Sequence, residues 1–84
     1  MCNIHVKYRG SIADLTGTKE ESFKAGNVRD VLKAIRKRYG RNAEKAARTM
    51  LIALNGESIL LLKGYKTTLK EDDTLSFFPL SAGG

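Results

Sequence analysis

At Asn27 the spacing of the apolar residues changes from two to between three and four, and this switch constrains the fold more than any other feature. In NVRDVLKAIRKRYG (27–40), Val28, Val31, Leu32, Ile35 and Tyr39 recur at i, i+3, i+4, i+7 and i+11. Such residues form a stripe along one side of an α-helix, with Arg29, Lys33, Arg36 and Lys37 opposite. Asn27 stands where an N-cap is expected, Asp30 near the positive helix N-terminus, and Gly40 where a left-handed stop is expected. The next segment, RNAEKAAR (41–48), is expected to add a short helical turn.

On both sides of this helix the pattern is that of strands. In NIHVKYR (3–9), Ile4, Val6 and Tyr8 alternate with His5, Lys7 and Arg9, the period of a half-buried strand. GSIADLTGTK (10–19) reads as a loop anchored by Ile12 and Leu15, and EESFK (20–24) as a second strand closing a hairpin. MLIAL (50–54) is a continuous apolar run suited to a buried central strand, and NG at 55–56 is the strongest turn signal. SILLL (58–62) then reads as its partner strand, KGYKTTLKEDD (63–73) as polar and turn-rich, and TLSFF (74–78) as the last strand. One helix and five short strands bury their apolar faces together only if the helix covers one face of one mixed sheet. The expected class is α+β, with the first and last strands as parallel central neighbours.

A chain of 84 residues, 42% of them hydrophobic, suits one small globular domain. Its single cysteine, Cys2, cannot form an internal disulfide, and no paired-cysteine motif is present. The N-terminal MCNIHVKYRG has no long apolar stretch, so neither a signal peptide nor a membrane span is expected, and the expected location is cytoplasmic. The net charge of +6 reads as dispersed.

The C-terminal SFFPLSAGG (76–84) carries the chemistry. Pro79 cannot donate a ladder hydrogen bond, so pairing should stop there. The expected domain is residues 1–79, followed by a flexible tail at 80–84. Leu80, Ser81, Ala82, Gly83 and Gly84 would then project, reaching roughly 16–18 Å when extended. The tip is thin, and glycine lets its backbone approach other groups closely. It ends in a carboxylate that is ionised at neutral pH, its ordinary pKa being about 3.3–3.7. Such a carboxylate can attack the α-phosphate of ATP and become an acyl adenylate.

LKEDDTLSFFPLSAGG (69–84) resembles the closing segment of the MoaD/ThiS sulfur carriers, relatives of ubiquitin. The likeness extends to IHVKYRGSIADLTGTK, the amphipathic helix and LIALNG, and so spans the chain. In this sequence Leu80 stands at the family's second proline, and Glu71-Asp72-Asp73 replaces its Asp-Gly-Asp turn. Asp can adopt the left-handed conformation of the missing glycine at some cost. The fold implied is a β-grasp, a mixed sheet of four or five strands on one main helix.

The function implied is that of a non-catalytic carrier. A ubiquitin-activating-type enzyme would use Mg-ATP to adenylate Gly84, and a desulfurase or rhodanese-like donor would convert it to a thiocarboxylate. The carrier itself would bind no cofactor. Its acceptor would be the large subunit of molybdopterin synthase or, in the alternative, protein lysines or a tRNA-thiolation system. Gly83 would give clearance in the partner's channel, and Phe78, Pro79, Leu80, Ser81, Ala82 and Ile59 would form the partner contact. Phe77, on the other side of the strand, is expected in the core.

Several features have plainer readings. Cys2 and His5 lack partners that would make them a redox or catalytic centre, and no nucleophile–base pair is evident. KEDD (70–73) reads as an acidic turn rather than a metal site. RKRYGR (36–41) could bind nucleic acid, which would make the chain a basic binding module, but cations at a helix C-terminus also serve its dipole. A nucleic-acid partner is therefore not expected.

Overall fold

The computed structural model describes residues 1–80. Five strands form one sheet in the order β2-β1-β5-β3-β4: β1 (Cys2–Tyr8), β2 (Glu20–Ala25), β3 (Leu51–Leu54), β4 (Glu57–Ser58) and β5 (Thr74–Phe78). β1 and β5 pair in parallel at the centre, with Val6 opposite Leu75 and Tyr8 opposite Phe77. The remaining pairs are antiparallel. Three helices, α1 (Ser11–Thr16), α2 (Val28–Tyr39) and α3 (Arg41–Arg48), accompany the sheet, and this is the β-grasp architecture.

The helical stripe does what its spacing dictates. Val28, Val31, Leu32 and Ile35 are fully buried against Ile4, Val6, Leu75 and Phe77 of the two central strands. Each such side chain contributes about 1.5–3 kcal/mol on burial, so this interface is the main source of stability. Asn27 caps α2 by accepting a 2.9 Å hydrogen bond from the Asp30 N–H. Gly40 ends it at φ 98°, ψ 179°, a conformation open essentially to glycine alone but not the left-handed helical stop expected. α3 then buries Ala43 and Ala47, two small residues that let it lie close beside α2.

Three expectations are corrected. The segment 10–19 contains α1, six residues too short to display a period. Ile12 and Thr16, one turn apart, face inward, whereas Leu15 is 48% exposed and anchors nothing. The strand expected over SILLL stops at Ser58, and Ile59–Leu61 form one turn of 3-10 helix. The Ser58 hydroxyl accepts from the Leu60 N–H, offering that backbone a local partner in place of a ladder. The polar stretch 63–73 also contributes to the core, since Thr67 and Leu69 are buried where the segment crosses the start of α2. There Val28 N–H donates to Thr67 O at 3.2 Å and Leu69 N–H to Gly26 O at 3.0 Å.

The two turns signalled by sequence form as expected. Asn55 and Gly56 both have positive φ, 51° and 88°, as a two-residue hairpin requires. Asp72 takes φ 66° in the acidic turn, the left-handed conformation expected of it from the resemblance. The Asp73 carboxylate accepts from Lys70 N–H and from the Asn55 amide, and Glu71 accepts twice from Asn3. These carboxylates tie the acidic turn to β1 and to the turn that follows β3, which is their structural role.

One polar cluster closes the core. Glu21 of β2 faces inward, and its carboxylate accepts from Tyr8 at 2.6 Å and from Tyr39 at 2.8 and 2.9 Å. Arg38 lies 3.6 Å away. The cluster joins the end of α2 to β1 and β2. Burial, then the Glu21 hydrogen bond and charge, push the Tyr8 and Tyr39 phenols up from their ordinary value of 10.0. A phenol raised in the folded state stays protonated after its unfolded counterpart ionises. The stability it supplies is therefore complete below about pH 10 and declines above it. Unfolding free energy measured in urea should fall above pH 10 by up to about 1.4 kcal/mol per pH unit from Tyr8, with a smaller share from the more exposed Tyr39. Tyr8→Phe should flatten that decline and lower stability at pH 7 by about 1.5–3 kcal/mol, the range for a hydrogen bond to a charged group.

Candidate functional site

The last described strand sets the position of the site. β5 lies between β1 and β3, so its backbone is bonded on both sides and its direction is fixed. Leu75 and Phe77 face the core, and Thr74, Ser76 and Phe78 face outward. The Arg9 N–H donates to Phe77 O at 3.1 Å, the last bond of the central ladder before Pro79. Pro79 and Leu80 follow, both exposed.

Pro79 is seated on Gly10, the residue between β1 and α1. A Cβ on Gly10 would lie 2.6 Å from the Pro79 Cγ, and Gly10 has φ 76°. Only glycine combines that conformation with that approach. The exit of the C-terminal segment is thus held by β1 on one side and by the start of α1 beneath it.

Around the exit the outer surface is apolar with a basic neighbour. Phe78 pairs with Leu51 of β3, and the Arg9 guanidinium lies 5.9 Å from the Phe78 ring centroid. Beside them runs a groove of about 320 Å³ lined by Met50, Ile52, Ile59, Leu60, Tyr65 and Leu80. Arg48 stands at its edge, 5.2 Å over the Tyr65 ring.

Of the residues expected to contact a partner, Phe78, Pro79 and Leu80 come together at this exit. Ile59 does not share their exposure. It is 3% exposed, because the 3-10 turn directs it into the core, where it forms part of the groove floor. Leu60 and Leu61 are exposed in its stead, at 80% and 76%. Sequence reading missed them because a strand was assumed; the lack of alternation in SILLL was the available signal. Ser81, Ala82, Gly83 and Gly84 lie outside the described residues.

The other candidates have ordinary surroundings. Cys2 is a free thiol, half-buried against the core. His5 is on the outer sheet face, 3.4 Å from Asp72 and 3.4 Å from the Ser22 hydroxyl. No cluster of three metal-ligating side chains occurs among the described residues. No helix among them is long and apolar enough to cross a membrane.

Comparison with known proteins agrees with this architecture. The ThiS family model matches residues 6–84. Small archaeal modifier protein 1 from Methanosarcina acetivorans is 26% identical, with a TM-score of 0.85 over 100% of this chain and 98% of that one. A protein from Pyrococcus furiosus assigned as molybdopterin converting factor subunit 1 is 25% identical, with a TM-score of 0.77 over 94% and 98%. Subunit 1 in the complex of subunits 1 and 2 of the Helicobacter pylori molybdopterin-converting factor shares the fold at 22% identity, with a TM-score of 0.71 over 98% and 99%. No curated protein sequence matches significantly.

Gly10→Ala should lower stability by about 1–3 kcal/mol, from backbone strain and the contact with Pro79. Adding Pro79→Ala should restore part of that loss. A double-mutant cycle by urea denaturation checks the coupling, which should be at least 0.5 kcal/mol if the two residues touch as described.

Proposed function

Because the chain belongs to the ThiS family, we propose that it is a ubiquitin-like sulfur carrier whose reactive group is the carboxylate of Gly84. The observation that carries this reading is the family match itself, which runs through β5 and Pro79 to Gly83 and Gly84. The placement of β5 supports it. A doubly paired central strand followed by exposed Pro79 and Leu80 fixes the point at which the chain leaves the sheet, beside the apolar contact offered by Phe78 and Leu51.

In the proposed cycle a ubiquitin-activating-type enzyme holds Mg-ATP. The Gly84 carboxylate attacks the α-phosphate, releasing pyrophosphate and leaving an acyl adenylate. The persulfide of a desulfurase or rhodanese-like donor attacks the carbonyl and displaces AMP, and a thiol then cleaves the resulting acyl disulfide, leaving the thiocarboxylate on Gly84 and a disulfide on the donor. The carrier contributes the nucleophilic oxygen and a tip narrow enough to reach it, and the activating enzyme contributes the metal and the nucleotide. Phe78, Pro79 and Leu80 dock the body while Ser81, Ala82 and Gly83 span the channel.

Sulfur transfer to molybdopterin is the leading outlet. It is favoured by the FFP run at 77–79 and by the likeness to the Pyrococcus furiosus protein. The Helicobacter pylori structure is a complex of subunits 1 and 2, and the partner proposed for this chain is likewise a second, larger protein, the large subunit of a molybdopterin synthase. A second outlet, conjugation of Gly84 to protein lysines, is favoured by the likeness to small archaeal modifier protein 1.

Intact mass spectrometry of protein from its own cells, and after incubation with Mg-ATP, activating enzyme and sulfur donor, tests the carrier reading. The expected result is a mass shift equal to the exchange of one oxygen for one sulfur, abolished by deleting Gly83 and Gly84. An unchanged mass throughout, with no conjugates through Gly84, would refute it.

A further inference from the structure

The net charge of this protein is concentrated in one layer, although it reads as dispersed along the sequence. Of the 15 Lys and Arg residues, five lie on α2 and three on α3, against the two carboxylates Asp30 and Glu44. The rest of the chain holds seven cations and seven carboxylates, so the entire +6 sits on these two helices.

Their arrangement is one-sided. At about 100° per residue, Arg29, Lys33, Arg36 and Lys37 fall within an arc of roughly 100° facing away from the sheet. Arg41 and Lys45 follow one turn apart on α3, and all six side chains are exposed. Arg38 and Arg48 lie near Glu21 and Glu44, but the six make no salt bridge among the described residues. The helix dipole accounts for Arg36 and Lys37 in the last turn of α2, because that effect fades within one turn. It does not account for Arg29 or Lys33, or for Arg41, which starts α3 at the unfavourable end.

We propose that the outer face of α2 and α3 is a docking surface for the phosphate backbone of duplex RNA. One observation selects a nucleic acid over an acidic protein. A protein interface needs an apolar or aromatic centre, and no exposed large hydrophobic residue lies on either helix. Phosphate contacts need only cations, and such contacts position a duplex without reading its bases. The choice of RNA follows from shape. α3 packs beside α2, so the face is broad and neither helix stands clear to enter a DNA major groove. A-form RNA presents a wide, shallow groove flanked by phosphates and is recognised largely by shape. The surface lies on the helical side of the sheet, away from the outward-facing Phe78, and is independent of the Gly84 chemistry.

Fluorescence anisotropy with a blunt-ended RNA duplex, a DNA duplex of the same sequence and polyglutamate as competitor tests the proposal. Contact with about five phosphates should lower RNA affinity about 500-fold between about 50 and 200 mM salt. The double variant Lys33→Glu, Lys37→Glu should weaken RNA binding at least tenfold at low salt while its melting temperature stays near that of the parent. Lys33→Gln, Lys37→Gln provides the same test should the charge reversal disturb folding. Lys7→Glu, Lys24→Glu on the outer sheet face should leave RNA affinity within about twofold. RNA binding insensitive to either helix variant would overturn the proposal, as would DNA binding as tight as RNA or displacement of RNA by equimolar polyglutamate.

Discussion

The parallel pairing of β1 with β5 is the contact on which the rest of the structure depends. It joins residues near the two ends of the sequence, with His5 opposite Thr74 and Tyr8 opposite Phe77. Such pairing closes a long loop before it returns any favourable contact, so it stands only if the intervening chain supplies enough apolar surface to hold it. α2 supplies that surface. Ile4, Val6, Leu75 and Phe77 form a platform two strands wide, and the four buried residues of α2 rest on it. With the centre fixed, β2 and β3 add at its sides by antiparallel pairing. The outer positions are then held by charged residues on β2 and by the two-residue β4, both of which discourage further strands.

The same pairing determines what the molecule can present. A central strand cannot swing, so the segment after Phe78 leaves from a fixed point in a fixed direction. Gly10 and Pro79 refine that exit by close approach. The two sides of the sheet then differ in chemistry. The open side near the exit carries Phe78 and Leu51 beside Arg9, suited to docking against another protein. The face formed by α2 and α3 carries the whole net charge, and neither of these helices has a large exposed apolar residue.

Buried polar groups show how closely the small core is specified. Glu21 is the one carboxylate of β2 turned inward, and it is tolerated because two phenols donate to it. The core thereby gains a directional contact that aliphatic packing lacks, one that relates the end of α2 to β1 and β2. The acidic turn at 71–73 works in the same way at the other end of the molecule. Its carboxylates bond to Asn3 of β1 and to the Asn55 amide in the turn after β3, and Asp72 accepts a left-handed backbone to allow it.

The sequence by itself determined those elements whose signal is local and repeated. These were the α2 stripe with its Asn27 cap, the alternation in β1, the Asn55-Gly56 turn, and the Gly-Gly ending that pointed to the family. Each depends on residues a few positions apart, and short-range sterics and hydrogen bonding fix their conformation. Only the tertiary structure decided the rest. α1 is too short to show a period, and it exists because Ile12 and Thr16 find the core. Ile59 turned inward and Leu60 outward because a local hydrogen bond to Ser58 took the place of a ladder along Ile52 and Leu51 of β3. Glu21 met Tyr8 and Tyr39, and eight cations gathered on one layer, because the sheet and helices brought distant segments together. Period and turn chemistry fix a segment's shape, but which side chains meet across segments depends on pairing and packing among residues far apart in the chain.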